Sequence, residues 1–154
     1  MLNQLETAQQ RWGGASKTID NWLDERKQLL IQYCHLAGVN YQSAHALPSE
    51  SEVNDFCAIL MDYLSVGHFE VYEMLVSDDQ DGQRLKQQIF PLISKTTDQA
   101  LDFNDQFAEG YTQENANLFE DAVTKLGAAL DDRFELEDQL IQRMHRLADH
   151  SLTN

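Results

Sequence analysis

The sequence predicts an all-α fold, an antiparallel up-down four-helix bundle with a short N-terminal helical segment, and three observations carry that expectation. Only two prolines and seven glycines punctuate 154 residues. Four long stretches between these breakers repeat apolar residues at the ~3.6-residue period that lines one face of an amphipathic helix. No stretch alternates apolar and polar residues as a half-buried strand does, and no internal repeat is present. Long helices joined by short loops pack against their sequence neighbours in antiparallel fashion. The whole chain, 1–154, is expected to form one helical-bundle domain, long enough to bury a core without disulfide or metal support.

The elements follow in order. Gly13-Gly14 separates the N-terminal amphipathic segment from the first long helix, with Trp12 as a plug at the bundle end. Ser16 or Thr18 is placed to cap that helix, Ile19, Trp22, Leu23, Leu29, Leu30 and Leu36 form its core stripe, and Gly38 stops it. Residues 39–51 read as a loop, after which Ser49 or Ser51 with a downstream acid caps the second helix. SDDQDG, at 77–82, is the clearest turn. The third helix carries Leu85, Ile89, Leu92, Ile93, Thr96, Ala100, Phe103 and Phe107 on one side and ends at Gly110. Pro91 lies inside it and predicts a kink or a late start. The fourth helix, about 114–149, repeats Phe119, Ala122, Leu126, Ala129, Arg133, Leu136, Leu140, Met144 and Leu147, widened by Val123, Leu130, Phe134, Ile141 and Ala148. Arg133 interrupts that apolar stripe, and its i,i+4 spacing to Glu137 predicts a paired, buried polar residue.

The second helix is the informative one. Read as one straight helix over 52–77, it has a core stripe of Val53, Phe56, Cys57, Leu60, Tyr63, Leu64, Gly67, Val71, Met74 and Leu75. Its far side should be polar, yet it carries Ala58, Ile59, Asp62, Ser65, Val66, Phe69 and Glu73. Apolar residues on both flanks mean either that other helices cover both, or that a partner meets the second face. The wheel by itself leaves both open.

Chemistry is scarce. No Glu-x-x-His pair of the kind that builds dimetal sites in bundles occurs, and His35, His45, His68 and His145 are not spaced to converge. There is no phosphate-cradling glycine loop, no nucleophile elbow and no Cys-x-x-Cys. The pairs Asp78-Asp79 and Asp131-Asp132 read as solvated turn or surface acids, His68 as a boundary residue making a hydrogen bond, and Cys34 and Cys57 as free thiols serving as small hydrophobes. No enzyme, metal or cofactor is expected. A net charge of −15 disfavours nucleic acid and anionic membranes and suits a basic partner. With no signal-peptide pattern and no bilayer-spanning apolar run, a soluble cytoplasmic chain is expected.

MDYLSVGHFEVYE (61–73) resembles the signature of the regulator of sigma D and AlgQ family, anti-sigma factors of the primary sigma factor. MLNQL at the start, WLDERKQLL at 22–30, DFCAILMDYLSVGHF at 55–69 and LGAALDDRFELEDQLI at 126–141 fall in family-like order along nearly the whole chain. The resemblance implies a bundle that binds the C-terminal, promoter-reading domain of the primary sigma factor. Binding would keep that domain from RNA polymerase core and promoter, favouring alternative sigma factors in stationary phase or stress.

By position, the resemblance implies sigma contact at Asp62, Ser65 and Phe69, with Ile59, Val66 and Glu73 beside them. Val66 departs from the family pattern, which has a small residue after the serine. Phe69 would be the apolar anchor, Asp62 would face a basic side chain, and Ser65 would allow close approach and a hydrogen bond. The competing readings are a general acidic adaptor for basic proteins and, further off, a metal-binding bundle.

Overall fold

A computed structural model describes residues 17–38, 48–76, 79–109 and 113–153. The expected N-terminal segment with Trp12 and Gly13-Gly14, the Ser16 cap, most of the 39–51 loop with His45, and the Gly110 stop lie outside the described residues. So do the side chains of His145, Leu147 and Ala148. The helices are α1 (Lys17–Leu36), α2 (Glu50–Val66), α3 (Gln80–Phe107) and α4 (Gln113–Thr153), all-α among the described residues. A π-helical turn (Gly67–Val71) and a last α-turn (Tyr72–Leu75) extend α2.

Side-chain contacts give the topology. Tyr33 meets Phe56 and Trp22 stacks on Tyr63, so α1 and α2 run antiparallel. Phe56 meets Phe103 while Tyr72 meets Phe90, which sets α2 against α3 in the same way. Phe103 with Phe119, and Thr96 with Arg133, do so for α3 and α4. Arg26 with Asp138, and Tyr33 with Val123, close the ring between α1 and α4. This is the up-down four-helix arrangement that short connections favour. Gly127 permits the last contact, because a Cβ there would lie 2.1 Å from the Tyr33 hydroxyl. That hydroxyl instead passes α4 and donates to the Val123 carbonyl at 2.9 Å.

Local signals account for the boundaries. Ser49 caps α2, its hydroxyl accepting from the Glu52 N–H at 3.1 Å, and Asp79 caps α3 by accepting from the Gly82 N–H at 2.7 Å. Thr18 lies inside α1 and is not its cap. α1 gives way to a turn at Ala37 and Gly38, where φ is 73°. α3 starts at Gln80 and continues through Pro91, so a late start is ruled out. Pro91 is exposed, and the carbonyl one turn earlier loses its N–H partner on the side that water reaches.

The core holds the predicted stripes with instructive exceptions. All six apolar residues expected of α1 are buried. Leu92, expected inside, is 52% exposed, because the α3 stripe is satisfied by Ile89, Ile93 and Thr96 around it. The α2 stripe holds at Gly67, Val71 and Leu75 and fails at Met74, which is 49% exposed while Tyr72 is buried. The π-turn is the cause. Its extra residue retards the helical phase by one position, so Tyr72 and Val76 turn inward in place of Met74.

A polar network crosses this core. The Glu137 carboxylate is fully buried; Oε1 accepts from Arg26 Nη2 at 3.1 Å and the Tyr63 hydroxyl at 2.5 Å. Its Oε2 accepts from Arg133 Nε at 3.2 Å and the Tyr72 hydroxyl at 2.5 Å. Arg26 also donates to Asp138 at 2.7 Å, and Arg133 to Thr96 at 3.1 Å and Thr97 at 2.7 Å. Burial by itself would lower the Arg26 pKa, but Tyr63, Glu137 and Asp138 outweigh it and hold the guanidinium above its usual value. Burial lifts both tyrosine hydroxyls well above the usual phenol range, which keeps them neutral donors.

Candidate functional site

The outward side of α2 and its π-turn carries the sequence-predicted site. Asp62 and Ser65 are exposed one turn apart on α2, and Phe69 follows in the π-turn. Phe69 is 78% exposed, against 0% for Phe56 on the buried stripe of the same helix. The two faces of this helix are therefore distinct: one is sealed in the bundle and the other presents a bare aromatic ring. Ile59 and Val66 are half-buried and pack on the core edge, lending an apolar base to that side. Glu73 is exposed but engaged within the chain, accepting from Lys86 Nζ at 2.9 Å.

His68 stands edge-on to Phe69, with ring centroids 4.7 Å apart at 76°; it is exposed rather than at the core boundary expected of it. The wheel of one helix could not have found the remaining neighbour. Glu25 of α1 lies close enough to Asp62 and Glu70 for their charges to act on it. Burial, then repulsion from Asp62 and from Glu70, raises the Glu25 pKa above its ordinary value. The outward side of α2 thus gathers carboxylates from two helices.

Such a surface can dock a protein. It offers one large apolar side chain for insertion and negative charge for basic groups around it. Among the described residues, no three His, Cys, Asp or Glu side chains converge as a metal site would need, and no helix is long and apolar enough to cross a membrane. Arg133 is spent on Glu137, Tyr72 and the α3 threonines, as its spacing to Glu137 led us to expect. Asp131 and Asp132 are exposed on α4, and Asp79 is a helix cap. Cys34 and Cys57 are both free, and burial pushes the Cys57 thiol up to about 11.

What sequence reasoning missed is the support beneath the site. The helical pattern places Tyr63 and Gly67 only in the core, puts Tyr72 on neither face and gives no sign that Arg26 is buried. The one available signal was the Arg133–Glu137 spacing, which marked a buried charge needing partners without saying which.

Comparison with known proteins covers nearly the whole chain. The chain is 36% identical over 148 residues to the regulator of sigma D of Yersinia enterocolitica, covering 92% of this chain and 89% of that protein. It is 40% identical over 145 residues to the regulator of sigma D of Salmonella typhi, covering 92% and 90% respectively. Residues 1–145 match the family described as regulator of RNA polymerase sigma(70) subunit, Rsd/AlgQ, a regulatory family and not one of enzymes. The match takes in α1 to α3 and α4 as far as residue 145, and the chain therefore belongs to the Rsd/AlgQ family of sigma(70) regulators.

Proposed function

We propose that this protein is an anti-sigma factor that docks the C-terminal, promoter-reading domain of the primary sigma factor on the outward side of α2. Asp62, Ser65 and Phe69 make the central contacts. Ile59 and Val66 form the apolar base, and Glu73 lies at the rim. Occupation of that domain keeps sigma from polymerase core and promoter DNA, in the cytoplasm, and favours alternative sigma factors in stationary phase or stress. The observation that carries the reading is Phe69: a 78% exposed aromatic on the predicted face of a sigma(70) regulator.

The chemistry is consistent on both sides. A domain that grips DNA phosphates presents lysines and arginines, and a chain of net charge −15 meets them with complementary charge. Phe69 has roughly 150 Å² of ring surface left to cover, a gross gain of up to about 4 kcal/mol before ordering costs. That is the scale of an interface hot spot, about 2 kcal/mol or more on truncation to alanine.

The test is co-elution and calorimetric titration with the isolated C-terminal sigma domain. Phe69→Ala is expected to weaken binding about 30-fold or more. Asp62→Ala should weaken it less and reduce its salt sensitivity. Neither should move the thermal midpoint much, since exposed substitutions stay within about 0.5 kcal/mol. A Phe69→Ala variant that binds as the parent does refutes the assignment. Capture of many basic proteins, all released at moderate salt, would favour the acidic adaptor instead.

A further inference from the structure

We infer that Tyr72 is the positioning residue for Phe69, holding the π-turn that carries it in a register that the local sequence does not itself specify. The inference rests on the reading of Phe69 as the docking anchor, and extends it to residues that touch no partner.

The local sequence is compatible with two registers. Continued as a plain α-helix, 67–76 would bury Met74 and leave Tyr72 off the core stripe. In the structure the Tyr72 N–H reaches back to the Gly67 carbonyl, closing a five-residue turn, and the burial of these two residues is exchanged. π-turns are rare and concentrate at functional sites. Here the tertiary hold on the shifted register is visible on every side of Tyr72. Its hydroxyl donates to Glu137 Oε2 and accepts from Arg133 Nη2 at 2.6 Å. Its ring meets the edge of Trp22, with centroids 6.0 Å apart, and Phe90 at 5.9 Å.

Gly67 completes the clasp. A Cβ at this position would lie 3.0 Å from the Tyr72 hydroxyl oxygen, 3.1 Å from its Cζ and 3.4 Å from Trp22 Nε1. The tyrosine ring occupies the space a side chain at 67 would need. Return to the α register would withdraw the Tyr72 hydroxyl from Glu137 and Arg133, leaving buried polar groups unmatched. The segment that carries Phe69 is therefore clamped at its first residue and just past its last. A ring fixed before contact avoids the ordering cost that binding would otherwise include.

Two variants test this by different routes. Tyr72→Phe removes the hydroxyl, whereas Gly67→Ala keeps every hydrogen-bonding group and crowds the ring from the other side. Each is titrated with the isolated C-terminal sigma domain, alone and combined with Phe69→Ala, alongside amide hydrogen exchange. Affinity is expected to fall about three- to tenfold, the range that ordering one side chain on binding costs. Exchange at 68–72 should accelerate while α4 stays protected, and neither variant should weaken binding further once Phe69 is alanine. A purely structural role would lower the melting temperature yet leave affinity and local exchange unchanged in the folded protein. That result overturns the inference. If Phe69→Ala binds like the parent, the docking reading fails separately, and exchange at 68–72 alone decides whether the clasp exists: unchanged rates refute it.

Discussion

Replacing Glu137 tests the buried network directly, because that single carboxylate receives two guanidinium and two hydroxyl donors. In Glu137→Leu, Arg26 retains Asp138 at 2.7 Å, but Arg133 retains only hydroxyl partners. One buried cation then stands without a counter-charge. Breaking a buried pair in this way costs about 3–5 kcal/mol, and the tyrosine hydroxyls that lose an acceptor add about 1–3 kcal/mol each. Against a total stability of about 5–15 kcal/mol, the variant should lie at or near the limit of folding. Glu137→Gln keeps the shape and one acceptor oxygen, and should lose about 2–3 kcal/mol. With an m-value of about 2 kcal/mol/M, its urea midpoint by far-ultraviolet circular dichroism falls by about 1–1.5 M. The double variant Arg133→Met, Glu137→Leu removes the unmatched charge, leaves the Arg26–Asp138 pair in place and should recover much of the loss. A Gln variant within about 0.3 M of the parent, or a double variant less stable than Glu137→Leu, would refute the account.

Two further predictions concern single ionisable groups. Glu25 has a folded-state pKa above its ordinary value of 4.5, so between those values the folded chain binds more protons than the unfolded one. Stability attributable to Glu25 therefore rises as pH falls through that window, and Glu25→Gln should raise the thermal midpoint at pH 7 and flatten its pH dependence; an unchanged midpoint and slope would contradict the crowding. Cys57, buried and pushed up to about 11, should resist an aromatic disulfide reagent at pH 8 until urea unfolds the chain, and prompt labelling of the folded Cys34→Ser variant would contradict its burial.

Much of this arrangement was legible in the chain, and the failures have definite causes. Helix periodicity located all six apolar core residues of α1, and the Ser49 cap and Asp79 turn were readable because each needs only residues close by. Leu92 was misplaced because a wheel gives angle but not how wide a stripe its neighbours cover. Met74 and Tyr72 were exchanged because a π-turn depends on partners more than 60 residues away in sequence, Glu137 and Arg133. Arg26 shows the same limit: its burial depends on Tyr63, Glu137 and Asp138, none of them near it in the chain. Phe69 was half legible: the wheel puts it opposite the core stripe but leaves a second covering helix open. The family resemblance favours a partner, and only the packed bundle leaves the ring 78% exposed.

The residues that disfavour the free protein and those that suit it to a partner are in part the same. Asp62 and Glu70 both repel Glu25, and the helix segment that carries them leaves Phe69 uncovered, an arrangement that contributes nothing to the bundle's own stability. A basic protein surface relieves the repulsion and covers the ring in one event, so both terms appear as binding energy. The opposite side of the same helix behaves in the reverse sense. Tyr63 and Tyr72 spend their hydroxyls on a carboxylate that no solvent reaches, which makes the platform rigid without altering its outer chemistry. A helix divided this way can keep an unfavourable surface because its inner side does not depend on it. Substitutions that relax the surface should then strengthen the fold and weaken recognition, while those that loosen the network should weaken both.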